Sequence, residues 1–227
     1  MQEKSMTWPT TIEEAVAIQQ QLRSQVRLHD EFDPPRTVAG VDAGFEQEGA
    51  IARAAVVVLS FPELQPLAHV VARAPTPFPY VPGFLSFREA PAILDALAQV
   101  SITPDIIICD GQGIAHPRRL GIASHIGVLL DRPTIGCAKS LLTGRHPAVP
   151  DERGARVPLT DRTEQIGWVL RTRVGVKPVY VSPGHRVSLD TAADLVMACI
   201  TRYRLPETTR YAHNLASHGT IPTPRRV

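Results

Sequence analysis

The sequence predicts an α/β fold on one mixed sheet, an antiparallel meander followed by parallel strands, with helices flanking it. Three observations carry this. Three strand-like runs, Thr37 to Phe45, Ala52 to Phe61 and Leu67 to Ala74, follow one another with short breaks, as antiparallel neighbours do. Beyond them helical and strand-like patterns alternate, the order that parallel strands and their crossovers require. Two later runs, Ile106 to Cys109 and Pro133 to Ala138, are apolar at consecutive positions, which suits strands covered on both faces.

Composition sets the outer bounds. The 227 residues suffice for one sizeable α/β domain, expected to span 1–227 with flexible ends at 1–10 and 219–227. A hydrophobic fraction of 44% and a charged fraction of 20% belong to an ordinary soluble protein. No run approaches the roughly 18 apolar residues of a membrane span, so no membrane role is expected. The N-terminus, Met-Gln-Glu-Lys-Ser, lacks an apolar signal core. The three cysteines, Cys109, Cys137 and Cys199, are scattered within apolar patterns, pointing to buried thiols in a reducing cytoplasm rather than disulfides or a zinc site. A net charge of +2 argues for no partner by itself; a nucleic-acid case must rest on local clusters of Arg and Lys.

Taken in order, Thr11 and Glu14 form a capping-box pattern, and Ala15, Ile18, Leu22 and Val26 recur at helical spacing, predicting a first helix to about Leu28. Asp42 then interrupts an otherwise small or apolar strand. An ionised carboxylate there needs a partner, which leaves a salt bridge, an exposed edge or a metal ligand. The loop Pro75 to Gly83 is stiffened by its prolines, which lift Phe78 and Tyr80 into a semi-rigid projection, as a connector or as a binding element. A helix follows through Ile93, Leu94, Leu97 and Val100. Ser86 and Glu89 stand at capping-box spacing, whereas Pro91 at the first helical position would leave the Glu89 carboxylate free, and both readings stay open.

Pro104 to Gly113 reads as a buried parallel strand delivering Asp110 to its end, followed by a glycine turn. Ligands of open α/β sheets bind at that edge, although Asp110 could equally cap a turn. The loop from Gly111 to His125 carries Arg118 and Arg119 into a helix through Leu130. It lacks P-loop and dinucleotide-fingerprint spacing. Lys139 ends the next strand, as a solvated terminus or as a group at the same edge. Gly144 to Arg162 reads as an irregular excursion, Glu164 to Val174 and Lys177 to Val181 as paired strands, and Ser182 to Arg186 as a turn. Ser188 caps a helix with Leu189, Ala192, Val196, Ile200 and Tyr203 on one face, and Glu207 to Ala216 forms a last helical piece.

Several stretches in this order resemble the endonuclease V nucleases, which cut nucleic acid beside deaminated adenine: Gly40-Val-Asp-Ala-Gly44, Pro79-Tyr-Val-Pro-Gly83, Phe87-Arg-Glu-Ala-Pro91, Asp110-Gly-Gln-Gly113, His116-Pro-Arg-Arg119, Pro133-Thr-Ile-Gly136 with Lys139, and Tyr203-Arg-Leu-Pro-Glu207. The resemblance covers nearly the whole chain and implies a ribonuclease H-like fold. It implies Asp42 and Asp110 as metal ligands, Glu89 as a further acidic member, His213 as a direct, water-mediated or ordering partner of the metal, and Lys139 as the basic residue near the scissile phosphate. It further implies Pro79, Tyr80, Pro82 and Gly83 as a wedge loop with Tyr80 in the gap left by the lesion base. A pocket of backbone N–H groups is implied around Gly83, Leu85, Gly111, Gly121 and Ile122. Arg88, His116 and Arg118 complete the implied substrate contacts.

The implied reaction is hydrolysis of the second phosphodiester 3′ of inosine, initiating DNA repair, by a monomer acting on single- or double-stranded DNA or on RNA. Mg²⁺ is the implied cofactor, with Mn²⁺ as a substitute. Phosphodiester hydrolysis uses cations to bind phosphate oxygens and activate water, and Mg²⁺ prefers carboxylate oxygens, so the chemistry agrees. Arg88, Arg118, Arg119, Lys139 and Arg145 would supply local positive charge. Two other readings are a ribonuclease H-like nuclease for other structured or RNA substrates, and a catalytically idle nucleic-acid-binding module.

Overall fold

Strand order places the carboxylates. The computed structural model describes residues 8–221, so the expected flexible ends lie largely outside the described residues. The meander is β1 (Thr37–Glu46), β2 (Ile51–Ser60) and β3 (Pro66–Pro75), each antiparallel to the one before. Two strands, β4 (Ile106–Cys109) and β5 (Thr134–Ala138), then add parallel to β1 in turn. The remaining three, β6 (Arg156–Asp161), β7 (Glu164–Leu170) and β8 (Val179–His185), close an eight-stranded sheet of order β3-β2-β1-β4-β5-β8-β7-β6.

Consecutive apolar residues on the central strands serve opposite faces, because side chains alternate along a strand. One face packs Ala39, Val41, Val56, Val58 and Ile107 under α2 (Ser86–Gln99) and α3 (Ile122–Leu130), which contribute Ile93, Ala96 and Ile126. The other packs Val38, Val57, Leu59, Ile106 and Ile108 under α4 (Leu189–Ala198) and α5 (Glu207–His218), which contribute Val196, Tyr211 and Leu215. The expected buried strands are thus observed. Gly40 sets how closely α5 approaches: a Cβ at this position would lie 1.9 Å from the Thr208 carbonyl oxygen.

Five sequence expectations are corrected. The first helix, α1 (Ile12–Arg23), starts on its Thr11–Glu14 capping box but stops before Leu28. Ser24 Oγ donates to the Gln21 carbonyl, and the Arg27 N–H is captured by His185 Nδ1 at 3.2 Å, so tertiary contacts claim the chain that periodicity assigned to helix. The excursion 144–162 contains β6, and the expected turn Ser182 to Arg186 is mostly strand. Pro183 lies within β8, whose residues hold the loop after Asp110 through Gly113 N to Ser182 Oγ at 2.8 Å and Ile114 N to the Pro183 carbonyl at 2.9 Å. The helix begun at Ser188 ends at Ala198, short of Ile200 and Tyr203. Pro91 is neither at the helix start nor outside it: α2 opens at Ser86 without a side-chain cap, and Glu89 sits in its first turn. The three cysteines are buried and unpaired, as expected.

Candidate active site

Parallel pairing of β1 with β4 brings the first two carboxylates together. Val41 stands opposite Cys109 and the Asp110 N–H donates to the Val41 carbonyl at 3.2 Å, so the next residue of each strand, Asp42 and Asp110, emerges at the same edge. The close seat of α5 over Gly40 brings His213 to them. Its Nδ1 lies 2.8 Å from Asp42 Oδ2, and donor atoms of Asp42, Asp110 and His213 all lie within 4.8 Å of one another. Lys139, one residue beyond β5, contacts Asp110 Oδ2 with its Nζ. Glu89 approaches from α2 on the other face; it is outside that trio but within range of its charges.

The electrostatics describe a site with surplus negative charge. The side chains of Asp42 and Asp110 are only 14% and 9% exposed. Burial, then the Asp110 charge, raises the Asp42 carboxyl above the usual range, with His213 and Lys139 acting in the opposite direction. Glu89 is pushed up to about 8, by burial first and then by Asp42 and Asp110. Carboxylates that resist ionisation together are stabilised by an added cation. Two carboxylates and an imidazole within one ion's reach, with a third carboxyl group beside them, fit a divalent metal, and the carboxylate oxygens suit Mg²⁺ or Mn²⁺.

The Pro-rich loop divides between root and tip. Phe78, expected to project with Tyr80, is only 2% exposed and instead packs with Phe84 and Phe87 against Ala15 of α1. An aromatic ring with apolar neighbours in reach is buried by the hydrophobic effect, whatever the stiffness of the loop. Tyr80 does project, 72% exposed, between exposed Pro79 and Pro82. Both ends of the loop are held by side chains named at the sequence level for substrate. Arg88 donates to the Phe78 carbonyl at 3.0 Å and to Gly49 at 3.1 Å. At the other end the Gly83 carbonyl accepts from Arg118 Nη2 at 2.7 Å, Gln19 Nε2 at 3.0 Å and His116 Nε2 at 3.1 Å. His116 Nδ1 accepts the Arg118 backbone N–H at 3.2 Å, which assigns the proton to Nε2. Burial and the nearby arginines hold this ring's pKa down at about 4, so it is neutral, as that pattern requires.

Arg119, expected to add positive charge, is buried and paired with Asp161 and Glu164, both at 2.8 Å, so it ties the loop to β6 and β7. Gly83 has φ +82°, a conformation that favours glycine. Gly111 and Gly121 are required by contacts within the protein: a Cβ would lie 2.6 Å from Ile122 Cγ2 at Gly111 and 2.3 Å from the Gln112 carbonyl oxygen at Gly121. Leu85 is exposed nearby, whereas Ile122 is buried. Sequence reasoning missed Gln19. Its signal is visible, since it shares the Ala15–Leu22 helical face as a lone polar side chain and is completely buried there, bonding Gly83 and Arg118.

Comparison with known proteins finds relatives along nearly the whole chain. The Endonuclease V family model matches residues 20–214. The chain is 65% identical over 212 residues to an Endonuclease V from Nostoc sp. (strain PCC 7120), covering 93% of this chain and 96% of that protein. Among solved structures, Endonuclease V from Streptomyces avermitilis superposes with a TM-score of 0.89 at 46% identity, covering 93% of this chain and 94% of that one. Ciona intestinalis Endonuclease V, in complex with a 24mer DNA containing an inosine followed by a ribo-adenosine, superposes with a TM-score of 0.76 at 28% identity, covering 90% of this chain and 95% of that one. A match running through the strands that carry Asp42 and Asp110 and on into the helix that carries His213 leaves one conclusion: the chain belongs to the endonuclease V family.

Proposed function

We propose that this endonuclease hydrolyses the second phosphodiester bond 3′ of inosine, acting as a single-domain monomer in the cytoplasm with Mg²⁺, replaceable by Mn²⁺. The observation that carries the reading is the in-register pair Asp42 and Asp110 at one sheet edge, with His213 beside Asp42 and Lys139 beside Asp110. Asp42 and Asp110 would hold the metal, with His213 as a ligand or orienting Asp42. When bound, the metal supplies a lowered pKa for the attacking water and stabilisation of the leaving oxygen. Lys139 sets a positive charge beside Asp110, where the scissile phosphate must approach. Glu89 keeps a third carboxyl group at the same edge.

Recognition falls to the rigid loop and the backbone beside it. Tyr80 fills the gap when the lesion base leaves the stack, a displacement that costs least for a base that already pairs poorly. Inosine presents an oxygen acceptor where adenine presents an amino donor. Backbone N–H groups around Gly83, Leu85 and Ile122 therefore favour the first and face donor against donor with the second, whereas those of Gly111 and Gly121 already donate to the Cys109 and Gly113 carbonyls, both at 2.9 Å. Such a site rejects the wrong group by up to about 10⁴-fold or more.

The test is incubation with Mg²⁺ of matched inosine and adenine oligonucleotides, as DNA and as RNA, with product ends mapped. Cutting of inosine strands at the second 3′ bond, with little cutting of adenine, is expected. Release of free hypoxanthine, or a cut on the 5′ side, would overturn the reading.

A further inference from the structure

The segment Tyr203 to Glu207 belongs to the motif set, yet none of the roles above uses it. It runs into α5, and beside it lies a cleft of ≈ 320 Å³ lined by Tyr203, Arg204, Leu205, Arg210, His213 and Asn214. That volume is at the lower end of the roughly 300–1,000 Å³ of small-ligand sites. The exposed lining is mainly carbon, which suits a flat ring better than a bare phosphate.

The walls are fixed in advance. The Arg210 guanidinium lies 3.5 Å from the Tyr203 ring centroid and is itself held by Glu207 Oε2 at 2.5 Å. Arg204 donates to the carbonyls of Lys177 and Pro178, both at 2.8 Å, and of Lys139 at 2.6 Å, which ties this wall to the residue that touches Asp110. His213 is shared between the cleft and the carboxylate cluster. Exposed Arg202 lies 4.6 Å from the same tyrosine ring.

Position completes the argument. The cleft is on the face of the sheet covered by α4 and α5, whereas the root of the Tyr80 loop packs with α1 and α2 on the opposite face. The metal-binding edge lies between them. An enzyme that breaks a strand internally holds it on both sides of the broken bond, and the Tyr80 loop accounts for one side only.

We propose that this cleft takes one base of the bound strand on the far side of the scissile phosphate from inosine, packed against the Arg210–Tyr203 stack, with Arg202 beside the adjoining phosphate. The inference rests on the nuclease reading. Aromatic stacking with cationic side chains along the backbone is how single strands are held without regard to sequence.

The experiment scans this side of an inosine strand with single base-free nucleotides. Binding is read by fluorescence anisotropy with Ca²⁺, beside a matched adenine strand. For the wild type, one position should lose about 5- to 150-fold in affinity, the worth of a base–aromatic stack. In Tyr203→Leu, which keeps apolar bulk, and in Asn214→Trp, which fills the cleft, the intact strand should bind correspondingly weaker and the base-free position should cost nothing further. Wild-type affinity in both variants, or losses that multiply with the base-free effect at every position, would overturn the cleft. Equal wild-type binding of inosine and adenine strands, with the Tyr203 coupling intact, would overturn inosine recognition while leaving the cleft. Absence of any binding would overturn both.

Discussion

Arg118 anchors Gly83: its Nη2 donates to the Gly83 carbonyl at 2.7 Å while its guanidinium lies 4.1 Å from the Phe84 ring centroid. The loop that presents Tyr80 is therefore held at its end by a charge-assisted hydrogen bond. Arg118→Met should weaken binding to duplex inosine DNA through loss of loop order. In a double-mutant cycle with Tyr80→Ala the two losses should fall short of additive. Full additivity would return Arg118 to a direct substrate contact.

Tyr80 itself carries the next expectation. Tyr80→Ala should weaken binding to duplex lesions by about 1–3 kcal/mol, the worth of a base–aromatic stack, and single-stranded lesions should lose less because no partner base needs replacing. Affinity titrations on matched duplex and single-stranded inosine substrates measure the difference. Equal losses would reduce Tyr80 to a simple contact.

The proposed function gives Asp42 and Asp110 the metal rather than the base. Asp42→Asn and Asp110→Asn should each abolish cutting and leave inosine binding largely intact. Ca²⁺, larger and less strict in geometry, should support binding without cleavage. Wild-type-like turnover in either variant, or robust cutting in chelator, contradicts the assignment.

Gly40 links packing to the site. Gly40→Ala would set a Cβ 1.9 Å from the Thr208 carbonyl, so α5 must shift. Thermal unfolding should show a loss of about 1–3 kcal/mol, the usual cost of overpacking. Metal affinity should fall with it as His213 withdraws from Asp42. Unchanged stability and metal affinity together would mean that α5 is not held by this contact.

Acid sensitivity follows from two buried rings. Burial holds His125 down at about 4, and burial with the nearby arginines does the same for His116, against an ordinary 6.5. Between those values the unfolded chain binds protons that the folded chain refuses. The contribution of these two rings is therefore complete above about pH 6.5 and is lost as pH falls towards 4, by up to about 3 kcal/mol per ring. His125→Gln should remove one ring's share and make the acid limb of a stability–pH curve shallower, His116 retaining its own. An unchanged slope would show that His125 protonates without unfolding.

How much of this was legible in the sequence follows physical range. The α1 capping box, the consecutive apolar residues that bury Val38 on one face and Ala39 on the other, and the ends of β1 and β4 depend on residues near in sequence, and all were readable. The ordered motifs also singled out Asp42, Asp110, Lys139 and Tyr80, and the family resemblance added His213. What the sequence could not determine depends on contacts across the chain. Parallel register sets Asp42 beside Asp110, and the missing side chain of Gly40 brings His213 to them from more than 160 residues away. Hydrophobic burial withdrew Phe78 while leaving Tyr80 exposed. Arg88, Arg118 and Arg119 look alike in sequence as free positive charge. Only the fold engages the first two with backbone carbonyls and the third with two carboxylates, because a guanidinium bonds whichever acceptors tertiary structure brings within reach.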